Sequence, residues 1–541
     1  MKIIRGQLVD LHQKKIYPAE IKIKKNKIAS IQKVKDAPAH YIMPGFVDAH
    51  IHIESSMLVP SEFARLAVVH GTVGTVSDPH EIANVMGIMG IRFMVNNAQH
   101  VNFKFNFGAP PCVPATSFET AGAIISPEDI ETLFRKDGLK YLAEMMNWPG
   151  VLQKEEDVMA KIKIAQKYNR PVDGHAPGLK GEDAANYAAA GISTDHECFT
   201  AEEALDKLKA GMKIQIREGS AAKNFEALIG LLADYPEQIM FCCDDKHPDE
   251  LVENHLDDHV KRALAKGHDL FQVLRAASYN TVKHYGLDIG LLQEGDPADF
   301  ILVDNLDDFN IQQTFIEGEC VAENGVTLMK STACTPINNF SCTEKKPEDF
   351  QIKAEGSKVK VIEALEGQLI TNPLTLEAKI EDGLVVSDPD RDILKMVVVN
   401  RYKKAEVAKG FVKNFGLKSG AIASSVAHDS HNIIAVGVDD HSLAEAVNYI
   451  IEHKGGVCAF DEEERAIVPL PVAGLMSTSN GYEIAQKYTA VDQMVKRMGG
   501  KLNSPFMTLS FMALLVIPSL KLSDLGLFDA DKFTFCKLLT D

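Results

Sequence analysis

The chain has 541 residues, of which 45% are hydrophobic and 24% charged, and a formal net charge of −18. That length predicts two or three domains, and the composition is that of a globular protein with material for a large core. The acidic residues are spread along the chain, which argues against nucleic acid or an anionic membrane as partner, because both require a basic footprint.

From the N-terminus, MKIIRGQLVDLHQKKIYP lacks the apolar core and small-residue site of a signal peptide. IIRGQLVDL and EIKIKKNKIASIQ alternate apolar and polar residues between turn breaks and predict short strands. Residues 298–326 repeat that character. Two β segments flanking a long middle block predict one small β-sandwich domain built from 1–44 plus 288–340. The middle block, 45–287, has a regular rhythm. Strands are predicted at 46–52, 72–78, 101–107, 140–146, 171–175, 191–196, 212–217 and 238–244. Between them lie stretches with apolar residues three and four apart, such as EIANVMGIMGIRFMVNNAQ and AAKNFEALIGLLADY, which predict helices. Eight strand–helix units over this length predict an α/β fold, a (β/α)₈ TIM-like barrel. The rhythm stops near 345, and 345–541 predict a further α+β domain. Its longest apolar run, Phe511 to Ile517, is too short to span a bilayer.

The chemistry-bearing residues fall where such a barrel keeps its active site, at the C-terminal ends of the strands. His50 and His52 close the first strand; side chains two apart point to one side and can share a divalent metal. Glu144 ends the fourth strand, His175 the fifth, His196 the sixth and Asp244 the eighth. Four histidines and two carboxylates converging on one mouth point to a metal site; a buried polar ring that only stabilises the barrel top is the bland alternative. The rival zinc deaminase pattern, H-x-E followed by P-C-x-x-C, fails: His52-Ile53-Glu54 matches its first half, but Pro111-Cys112 is followed by Ala115.

PGFVDAHIHIE resembles the opening signature of the amidohydrolase superfamily, and ASYNTVKHYGLDIGLLQEGDPADFILVD its closing segment. HIHIESSMLVPSEFA, GTVGTVSDPHEIANVMG, AEMMNWPGV, DGHAPGL, TDHE, CCDDKHP, SSVAHDSHNIIAVG and LPLPVAGLMS together resemble the adenine deaminase family over the whole chain. The resemblance implies two divalent metal ions, Mn²⁺ or Fe²⁺ with Zn²⁺ possible. His50, His52 and Asp244 would bind one, His175 and His196 the other, and Glu144 would bridge them where many relatives use a carbamylated lysine; Lys140, four residues earlier in the same strand, does not take that role. It further implies hydrolytic deamination of adenine to hypoxanthine and ammonia, with Asp244 relaying the proton of a metal-activated water. A cyclic amide hydrolase of the same superfamily and a catalytically silent scaffold are the alternatives.

Asp244 is favoured over Asp245 as the strand-eight ligand because it directly follows the apolar strand. His80 and Glu81 follow strand two at the rim, as candidates for binding the purine or, for Glu81, shuttling protons; the bland reading is a helix capping box completed by Asp78 and Glu81. His428-Asp429-Ser430-His431 reads as structural, as closure over the barrel mouth or as a subunit contact, in preference to a metal site, because no further ligand cluster is evident nearby. Trp148 reads as a loop anchor. Nine cysteines show no CxxC spacing, and Cys242 and Cys243 read as packing residues. A reduced, cytoplasmic protein is expected, with adenine and water as small-molecule partners, no nucleic acid or membrane, and a homo-oligomeric state.

Overall fold

Eight short strands alternate with helices and close on themselves in the computed structural model, which describes residues 1–541. They are Phe46–Ile51, Thr72–Ser77, Lys104–Phe107, Leu142–Met145, Val172–Gly174, Thr194–Asp195, Lys213–Arg217 and Ile239–Cys242. Each lies inside a stretch marked by the sequence pattern. The ladders between neighbours are parallel. Single bridges complete the ring: Ala109 pairs with Leu142, Ser193 donates its backbone N–H to Val172, and Ile51 pairs with Asp244. At that last seam the Asp244 N–H donates to His50 at 2.9 Å and the His52 N–H donates to Asp244 at 3.0 Å. Closing the barrel therefore fixes the first and eighth strand ends, and with them three candidate ligands, in one hydrogen-bonded register.

Two helical expectations are corrected. The stretch after the second strand is two helices, His80–Met86 and Ile88–Ala98. They break at Gly87, whose φ of +58° lies in the left-handed region that a helix interior cannot use. The stretch after the seventh strand is helical only from Phe225. The preceding Asn224 side chain is instead tied to the barrel, accepting from Arg217 N–H and donating to the carbonyls of His196 and Cys198.

Strands from both flanks of the barrel join one eight-stranded sheet, in which Tyr41–Pro44 lies between Lys2–Asp10 and Phe300–Val303. The C-terminal region builds a nine-stranded sheet. Helix Asp440–His453 covers one face, packing Leu443, Val447 and Ile450 onto Val397 and Ala435. Much of that region shares an apolar core with the barrel, running from Val47 and Ile214 to Leu394 and Met476. Helix Gly481–Arg497 is anchored to the barrel's first helix by the Gly481 N–H, which donates to Glu62. The C-terminal region is thus seated on the barrel mouth, where burial of apolar surface holds it. No helix is long and apolar enough to cross a membrane.

Candidate metal centre

The strand ends bring all six candidate ligands together. His50 Nε2 and His52 Nε2 lie 3.1 Å apart, and Asp244 Oδ1 is 3.4 Å from the first and 3.1 Å from the second. Glu144 divides its carboxylate between two groups. Its Oε1 is 3.5 Å from His52 Nε2, while its Oε2 is 2.8 Å from His175 Nδ1 and 3.1 Å from His196 Nε2. Every one of these residues is buried. His175 Nε2 has no hydrogen-bond partner. Buried imidazole nitrogens facing each other and two carboxylates are an unfavourable set unless a cation joins them, and N/O donors without thiolate suit first-row divalent ions. The residues present fit a divalent metal site.

The surrounding groups orient these ligands. His52 Nδ1 lies 3.2 Å from the Asp78 carbonyl, which leaves Nε2 to face the cluster. Asp78 Oδ2 accepts from the Glu144 N–H. Burial opposes ionisation of Glu144, yet the adjacent His175 and His196 hold its carboxyl well below the usual range. Burial likewise opposes ionisation of Asp244, and here Arg217 overrides it. Arg217, itself buried, donates to Asp244 Oδ2 at 2.6 Å and grips Glu197 with both terminal nitrogens. Neither Arg217 nor Glu197 was singled out from sequence. Their signal was positional: Arg217 ends the seventh strand and Glu197 follows His196.

Asp244 adopts φ +58° and turns its side chain into the cluster, whereas Asp245 accepts a 2.5 Å hydrogen bond from Ser55. Lys140 is exposed, away from the centre. Trp148 opens a short helix, Trp148–Gln153, and does not line the central cavity. Cys242 and Cys243 are fully buried in the core.

The capping-box reading of Glu81 is corrected. The helix from His80 has no side-chain cap of that kind; Asp78 accepts from the His80 N–H instead. Glu81 faces the C-terminal region, where His428 Nδ1 lies 2.6 Å from one carboxylate oxygen and His431 Nε2 contacts the other. The expectation that no further ligand-type residue lies near His428 and His431 is corrected by the same contacts. Through these contacts the segment lies against the barrel mouth. His80 links the two clusters, with Nδ1 3.3 Å from Glu144 Oε1 and Nε2 3.4 Å from Glu81. Leu369, Phe511 and Leu514 add an apolar wall to the cavity, and Phe511 stacks on His428 at 4.4 Å.

Comparison with known proteins shows the family. Residues 41–321 match the amidohydrolase family and residues 368–534 match the adenine deaminase C-terminal domain. Among curated relatives, an adenine deaminase of Salinibacter ruber is 53% identical over 99% of both chains. Another, from a Sulfurovum species, is 55% identical over 98% of both chains. One from Methanosarcina mazei is 50% identical over the full length of each. The chain belongs to the adenine deaminase family of the amidohydrolases.

Proposed function

We propose that this chain converts adenine and water to hypoxanthine and ammonia at a centre of two divalent ions, iron(II) or manganese(II). His50, His52 and Asp244 would hold one ion and His175 and His196 the other, with the Glu144 carboxylate available to both. The observation that carries this reading is the divided carboxylate of Glu144, with one oxygen toward His52 and the other toward His175 and His196. When bound, such ions lower the pKa of water and supply hydroxide at neutral pH.

The chain's own residues do the rest. Asp244 is held by Arg217 through Oδ2, so Oδ1 is the oxygen left to accept a proton from water and return it to the purine ring or the departing amine. Addition at C6 breaks the ring's C=N character, and collapse of the adduct expels ammonia. Glu81, fixed by His428 and His431, accepts a hydrogen bond from a purine N–H, and His80 stands between it and the metal ligands. Leu369, Phe511 and Leu514 offer the flat ring an apolar face and exclude water. The cyclic-amide reading loses ground, because Lys140 is exposed and the full-length relatives are named for adenine.

The test is an ultraviolet assay of adenine with manganese-loaded protein beside His52→Ala. Conversion to hypoxanthine by the first and none by the second is the expected result. A wild-type protein that holds two ions and leaves adenine untouched overturns the substrate assignment.

A further inference from the structure

Helix Ala201–Lys209 follows the sixth barrel strand and carries Glu203 and Lys207 one turn apart, with their opposite charges 3.1 Å from each other. A third charge, Asp195, ends the sixth strand and lies 3.0 Å from Lys207 Nζ. None of the three is more than 2% exposed. Buried charges are tolerated where they are paired and their remaining hydrogen-bonding positions are filled.

Those positions are filled by the backbone of the two loops that follow His175 and His196. Ala176 is held at both its backbone groups: its N–H donates to Asp195 Oδ2 at 3.0 Å, and its carbonyl accepts from Lys207 Nζ at 2.7 Å. Asp195 Oδ1 accepts from the Glu197 N–H at 2.9 Å. Glu203 accepts from the Gly178 N–H at 2.8 Å with one oxygen and from the Phe199 N–H at 3.2 Å with the other. The triad therefore ties the residue after His175 to the residue after His196, and touches neither imidazole. Burial disfavours the Lys207 ammonium, yet the adjacent Asp195 overrides it and holds its pKa above the ordinary value. Hydrogen bonds from a charged donor are stronger than neutral ones.

The strands give this pair of loops little hold of their own. The fifth, Val172–Gly174, and the sixth, Thr194–Asp195, are three and two residues long. They share no ladder, and Ser193 donates its backbone N–H to Val172 at 2.8 Å. His175 Nδ1 and His196 Nε2 nonetheless reach the same oxygen of Glu144, with their rings 5.4 Å apart at 75°. The other ligand group is fixed separately, at the seam where the backbones of His50, His52 and Asp244 interlock.

We propose that Lys207, with Asp195 and Glu203, is a positioning residue for the metal centre: it sets the spacing of His175 and His196, and with it the affinity for the ion they share. The inference rests on the two-ion reading and adds to it a lysine that contacts no metal-ligand side chain and no substrate.

The test is metal content, with no turnover needed. Metal-loaded protein is dialysed against buffers of fixed free manganese(II), and bound manganese per chain is measured. The wild type should lose its ions in two steps. Lys207→Met should weaken one step about 10- to 100-fold, the cost of losing a partner behind metal-ligating histidines, and leave the other in place. The weakened step should be the one that His196→Ala removes. Glu203→Gln, which leaves Lys207 bonded to Asp195, should weaken the same step by less, and carries the test if Lys207→Met does not fold. Two unaltered steps, both steps weakened alike, or weakening only of the step that His52→Ala removes overturns the proposal. A wild type that binds fewer than two ions refutes the two-ion reading and the proposal with it, whereas two ions in the wild type and both steps intact in the variant refute the proposal alone.

Discussion

Replacing Arg217 with methionine isolates what a buried cation does beside the metal ligands. Arg217 is 1% exposed and is the only arginine or lysine hydrogen-bonded to the Asp244 and Glu197 side chains. The methionine variant leaves two buried carboxylates without that partner. Removing one member of a buried ion pair costs about 3–5 kcal/mol, most of it the penalty on the charge left behind. The catalytic cost is separate: Asp244 loses the bond that fixes Oδ2, and a misplacement of about 1 Å in a reacting group costs on the order of 100-fold in rate, or roughly 2.7 kcal/mol. Urea unfolding and kcat for adenine, both at saturating manganese, measure the two effects. Arg217→Lys divides them further. Lysine restores a point charge and should recover part of the stability, but it lacks the fork that holds both carboxylates, so kcat should stay low. A methionine variant with unaltered unfolding midpoint and kcat refutes the reasoning. A lysine variant with full activity shows that charge suffices and that the fork does not position Asp244.

His428→Ala should retain both metal ions yet lose kcat by about 100-fold, because Glu81 keeps its place in the barrel but loses one of the two imidazoles that aim it; metal analysis beside the ultraviolet assay checks this, and loss of metal in that variant would contradict it. Lys521 is fully buried, with Nζ donating to the carbonyls of Leu369 and Phe511, and burial pushes its ammonium down to about 7 from 10.5. Between those values the unfolded chain binds the proton that the folded chain has released, so stability rises with pH through that window and the full penalty is present below 7. Relative to Lys521→Met, the wild type should gain about 3 kcal/mol between pH 7 and 9.5, followed by denaturant unfolding at each pH; equal pH slopes in the two proteins would show that Lys521 is not neutral when folded.

The sequence alone was enough for the barrel, because its eight strands are buried on both faces and its helices carry an apolar stripe, and both features leave period and length signatures. It was also enough to nominate candidate ligands, because barrel topology forces strand ends to one mouth, so that His50, His52, Glu144, His175, His196 and Asp244 could be picked by position along the chain. Local rules failed where a side chain's partner is distant in sequence. Glu81 had the spacing of a capping box, but two imidazoles more than 340 residues away drew its carboxylate off the helix end. Arg217 looked like the polar end of a strand until packing placed it between Glu197 and Asp244. Only the tertiary structure decided how the C-terminal region closes the mouth, since burial and charge pairing across that interface depend on which surfaces meet, and periodicity within either segment carries no record of the other.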